Sequence, residues 1–126
     1  MATKITPTSR TFDSATDLSA KKNYIVKMSG VNTVALASAA TDALVGTIAN
    51  VPVSSGLVEV DVDGGTGKVK LGSGGATRGA YLTADSSGTA VVTTTDGDQV
   101  IGKALQAGDE GDVIEYQIAH SRLYIA

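Results

Sequence analysis

Near its C-terminal end the chain reads Val113-Ile114-Glu115-Tyr116-Gln117-Ile118-Ala119, with Ile114, Tyr116 and Ile118 set against Glu115 and Gln117. A period of two is what an extended strand needs to give one buried and one wet face. Leu57 to Val62 repeats the pattern, placing Val58, Val60 and Val62 inward and Glu59, Asp61 and Asp63 outward. A shorter apolar run, Val100-Ile101-Gly102-Lys103-Ala104-Leu105, precedes the last strand across the turn-rich Ala107-Gly108-Asp109-Glu110-Gly111-Asp112. These segments commit the chain to β structure, and none of them carries a reactive group.

Further strand candidates are Asn23–Met28, Val31–Leu36, Leu44–Ala49, Lys68–Leu71, Tyr81–Leu82 and Ala90–Thr94. Short apolar runs this closely spaced, with Gly, Asn and Asp between them, predict an all-β small single-domain β-barrel or β-sandwich. Ala37 to Ala43 is read as a loop or one helical turn. Asp63-Gly64-Gly65-Thr66-Gly67 is read as a hairpin turn that sets Lys68 and Lys70 across from the acidic face of the preceding strand.

One internal echo stands out. Ala43-Leu44-Val45-Gly46-Thr47-Ile48-Ala49 and Gln99-Val100-Ile101-Gly102-Lys103-Ala104-Leu105 share an apolar pair, a glycine, a polar residue and apolar character after it. Glycine inside a strand marks a bulge, a bend or a close backbone approach. Either the two strands turn corners of one barrel, or the match is coincidence.

Residues 1–17 differ from the rest. They hold little apolar material beyond Phe12, and read as an extended N-terminal arm ahead of a β-rich body at 18–126. Nine extended residues reach ~30 Å. Across residues 1–30, Lys4, Arg10, Lys21, Lys22 and Lys27 outnumber Asp13 and Asp17, a net +3 that leaves −6 for the remainder of a chain carrying −3. A positive arm on a negative body suits docking on an acidic protein surface and does not suit nucleic acid. Lys4, Thr6, Arg10 and Phe12 are the candidate contacts.

Chemistry is poorly provided for. There is no cysteine and one histidine, His120, so no thiolate nucleophile and no histidine-built zinc site is expected. Gly64-Gly65-Thr66-Gly67-Lys68 fails the phosphate-loop pattern, because Val62 and Val69 stand where a glycine and a hydroxyl residue are required. Asp61-Val62-Asp63-Gly64 starts like a calcium loop and lacks its later ligands. No Gly-x-Ser-x-Gly elbow is present. No enzyme, no cofactor and no metal is the expectation. The sequence shows no leader-like segment and no apolar run long enough to span a membrane, so no membrane partner is expected and synthesis is placed in a cytoplasm, which the resemblance below makes that of a host.

The 17 Ala and 14 Val, with one Phe and no Trp, make a light core. Each large aromatic would bury about 150–250 Å², so a protomer without them gains from assembly.

Taken together, the glycine-bearing strand near residue 46, the Gly/Thr/Ser-rich loops and the closing run from Val100 to Ile118 resemble the capsid decoration (cement) proteins of tailed bacteriophages. The likeness covers roughly residues 18–119 and rests on pattern. It implies a β-tulip-like barrel protomer, a homotrimer, and a place on the outer surface of the virion head, bound to the major capsid protein and stabilising the capsid. It assigns nothing to the tail 120–126. The alternative is an all-β adhesive or carbohydrate-binding module of a virion fibre, which calls for an aromatic-lined site.

Overall fold

The computed structural model describes residues 8–14, 17–50 and 56–123, and all ten regular elements among them are strands. In chain order they are β1 (Thr8–Ser14), β2 (Ile25–Gly30), β3 (Thr33–Leu36), β4 (Leu44–Asn50) and β5 (Leu57–Asp63), then β6 (Thr66–Lys70), β7 (Tyr81–Ala84), β8 (Ala90–Val92), β9 (Gln99–Ala104) and β10 (Val113–Arg122). The first five close into a barrel in the order β1-β3-β2-β4-β5. The second five form a sheet in the order β6-β10-β9-β7-β8. The all-β expectation holds, and Ala37 to Ala43 is loop.

The two sheets are one design used twice. Raising each barrel strand number by five turns β3-β2-β4-β5-β1 into β8-β7-β9-β10-β6, the order of the second sheet. The registers agree residue by residue. Val26 faces Gly46 and Leu36, and Leu82, 56 positions on, faces Gly102 and Val92. Thr47 faces Asp61 as Lys103 faces Gln117. Phe12 faces Val58 as Val69 faces Ile114, with one extra residue of offset in the first strand. Loop hydrogen bonds repeat too: Asn23 N–H to the Ile48 carbonyl (2.8 Å) returns as Gly79 N–H to Ala104 (2.7 Å).

The glycine echo therefore has a structural basis, although not the one expected. Gly46 and Gly102 occupy equivalent places in two different sheets. A Cβ on Gly46 would lie 2.0 Å from the Asp61 carbonyl oxygen, and one on Gly102 would lie 1.8 Å from that of Gln117. Each strand presses its backbone against its neighbour at this point, which only glycine permits.

Three expectations are corrected. The segment 8–14 is not a free arm: β1 pairs with both β5 and β3, and Phe12 (4% exposed) fills the barrel, because a lone large apolar side chain in a polar stretch gains most by burial. Residues 1–7 lie outside the described residues. Gly64-Gly65 does not turn a hairpin: β5 and β6 belong to different sheets, and Lys68 stands opposite Glu115 of β10. Asp61 is buried (6%) instead of solvated, since the second half covers that side of β5.

The halves meet over an apolar joint. Ile25, Ala37 and Leu44 of the first half pack into the core of the second, with Leu82, Ile101, Ile114 and Tyr116. A smaller cluster of Phe12, Leu18, Val26, Val34, Ile48, Val58 and Val60 fills the barrel itself. The Ala40 carbonyl accepts from Gln99 N–H (2.8 Å), and Gly88 offers its carbonyl to Ile25 N–H (2.7 Å). At the centre the fully buried Tyr116 hydroxyl shares a 3.0 Å hydrogen bond with Thr47 Oγ1; burial, foremost, pushes the phenol pKa up.

Candidate interaction surface

Among the described residues, one mouth of the first barrel is uncovered. Arg10 and Phe12 reach it from β1, Met28 from β2, Asn32 from the β2–β3 turn, Val45 from β4 and Val62 from β5. Alternation along β1 puts residues 10 and 12 on the same face. Together with Leu44 they surround a mainly apolar hollow of about 350 Å³. The Arg10 guanidinium lies 5.1 Å from the centre of the Phe12 ring and donates to Asn32 Oδ1 at 3.4 Å, so the cation folds over the rim.

Of the four candidate contacts, the fold brings Arg10 and Phe12 together, while Lys4 and Thr6 lie outside the described residues. Phe12 is buried core at the base of this mouth and not a surface contact, which corrects its assignment. Beside the mouth, Lys27 Nζ pairs with Asp42 Oδ2 at 3.4 Å. The Ser38 N–H foremost, then the Lys27 charge and the Ala39 N–H, hold the Asp42 carboxyl below its ordinary value against an opposing cost of burial.

Two other hollows are polar. One of about 690 Å³ runs between the Ser73–Thr77 loop and Ala107–Asp109, and one of about 780 Å³ opens between Lys70, Asp85 and Glu110. Two of the carboxylates lining them serve turns: Asp85 takes the Ser87 and Thr89 N–H groups, and Asp112 takes that of Asp109. Among the described residues no His, Cys, Asp or Glu trio is placed to hold a metal ion. His120 stands near the end of β10, where lost hydration lowers its pKa against the raising pull of the Val62 backbone and Asp63.

Three exposed apolar residues were not singled out by the sequence. Met28, Tyr81 and Val92 are about equally exposed, at 40%, 42% and 42%. Tyr81 carries Lys103 Nζ 5.3 Å from its ring centre and does not join the core, whereas Tyr116 is wholly inside. The glycine echo was the available signal, because extending its register pairs Tyr81 with the buried Ile25.

No protein-family model matches the sequence, and no curated protein is significantly similar to it. Among solved structures, the chain is similar to the N base of head fiber gp8.5 of bacteriophage phi29. The TM-score is 0.64 at 22% identity, over 94% of this chain and 98% of that one. At this identity the likeness establishes a shared fold spanning both molecules nearly end to end.

Proposed function

We propose that this chain is a structural protein of a bacteriophage head, mounted on the outer surface of the expanded capsid as a homotrimer and holding neighbouring major capsid protein subunits together. It works by adhesion and has no catalytic role. The observation that carries this reading is the near end-to-end likeness to a head fiber base. A light Ala/Val core and exposed apolar residues suit a module completed by assembly. Linking several modest contacts in one oligomer raises avidity by about 10²–10⁴. Lys4, Thr6 and the exposed Arg10 remain the proposed capsid contacts, with strand addition to an exposed sheet edge as their proposed mode.

The test is addition of purified protein to expanded heads that lack it. Saturable, stoichiometric binding with a higher melting temperature of the heads is expected, and absence of binding would refute the reading. Removing residues 2–7 should weaken binding and leave the fold intact.

The same likeness favours a second reading, an adhesive module of a virion fibre. That reading predicts binding with no change in head melting, together with a gain in attachment to cells or glycans.

A further inference from the structure

The joint inside the chain has two sides, and each side has a counterpart that is left uncovered. The inserting side belongs to the first half: Ile25 (0% exposed) and Leu36 pack against the second, with Leu36 Cδ1 set where a Cβ on Gly88 would lie 2.6 Å away. In the second half the residues at the same places are Tyr81 and Val92, each 42% exposed.

The receiving side belongs to the second half, where Val69, Ala84, Gly88, Ile101 and Ile118 are all buried, beneath or beside Ile25, Ala37 and Leu44. Their counterparts in the first half are Phe12, Met28, Asn32, Val45 and Val62. These line the open hollow of the barrel mouth. The hollow is thus a receiving face into which none of the described residues inserts.

The geometry points to a second copy of this chain as the occupant, docking the end of β7 and β8 that carries Tyr81 and Val92 into the barrel mouth and reproducing between chains the joint that each chain holds within itself. Sizes change in step. Where the internal joint sets Leu36 against a bare Gly88, the external one sets the smaller Val92 against the larger Asn32. The contact is head-to-tail, so it closes into a ring or runs on as a filament. A closed ring is the form that a trimer on a capsid would take. The joint is read from the chain alone, so failure of capsid binding would leave it standing.

Two variants test it, each judged folded by its circular dichroism and melting curve. Val92→Lys spoils the inserting face, and Met28→Lys spoils the mouth. Light scattering on the full chain should give an oligomer for the parent and a monomer for each variant alone. An equimolar mixture should give a dimer containing one of each, because one intact face of each kind remains. Assembly of either folded variant like the parent, or no association in the mixture, overturns the proposal. Should a lysine variant fail to fold, Val92→Ser and Met28→Ser replace the pair with the same expected outcomes. A monomeric parent overturns it too, and if deletion of residues 2–7 then makes that parent assemble, those residues are the occupant of the mouth.

Discussion

The two halves share strand order and register, yet they finish differently. In the first, β1 lies parallel to β3 over Asp13↔Thr33 and Ser14↔Val34, which closes the barrel. In the second, the corresponding contact is one parallel bridge, Leu71↔Ala90, and the sheet stays open. The open half is the one whose mouth is filled by the other half's apolar side chains; the closed half seals its own wall, and none of the described residues fills its mouth. Closure and docking are thus alternative ways of completing the same five-stranded unit.

The equivalence is most severely challenged at the paired glycines. Gly46→Val and Gly102→Val each force a side chain into a neighbouring carbonyl, and each should cost about 3 kcal/mol or more. Chemical denaturation of both variants checks this. A large loss at one position with none at the other would break the repeat.

Next comes the asymmetry of the joint. Ile25→Ala empties a buried place shared by both halves and should cost about 2–4 kcal/mol. Its counterpart Tyr81→Ala should change protomer stability by about 0.5 kcal/mol, its effect falling on association instead. Equal losses in a monomeric background would mean that the second half buries Tyr81 by itself.

Tyr116→Phe removes one member of the Thr47 hydrogen bond and strands a buried hydroxyl, for about 1–2 kcal/mol. Adding Thr47→Val should recover most of that loss, since no orphaned group remains. Denaturation of the single and double variants gives the coupling directly, and additive losses would place the bond outside the joint's energetics.

The smallest effect concerns acid. The Asp42 carboxyl is held below its ordinary value of 3.8, so its contribution is present above that pH and is lost as pH falls through the lower folded value. Asp42→Asn should flatten the acid limb of the stability curve by about 0.5 kcal/mol at most, because the pair with Lys27 is partly solvated. Denaturation repeated from pH 6 to pH 2 measures it.

Local pattern carried much of this fold. The alternation over Leu57–Val62 and Val113–Ile118 marked two strands, and Asn32 marked the turn between β2 and β3, where its φ is +53°. What stayed hidden was pairing. Leu57–Asp63 and Thr66–Lys70 flank a Gly-Gly turn and look like a hairpin, but register is decided by distant partners in β1, β4 and β10, which no local rule contains. The repeat was visible only as the glycine echo. Over 23–50 and 79–106 the halves share Thr33/Thr89, Asp42/Asp98 and Gly46/Gly102, and little else. Side chains differ because one half is inserted and the other receives. Of the barrel mouth, the sequence singles out only Arg10 and Phe12, two of four candidate contacts on an arm, while Met28, Tyr81 and Val92 look ordinary until their counterparts are known.

The joint between copies can be tested in one step, because the chain contains no cysteine. Asn32→Cys and Val92→Cys, made in separate chains and mixed under mild oxidation, bring together the counterparts of the touching pair Gly88 and Leu36. A covalent dimer containing one chain of each kind is the result expected. Dimers of like chains only, or no cross-linked product, would contradict a head-to-tail joint that repeats the one inside the chain.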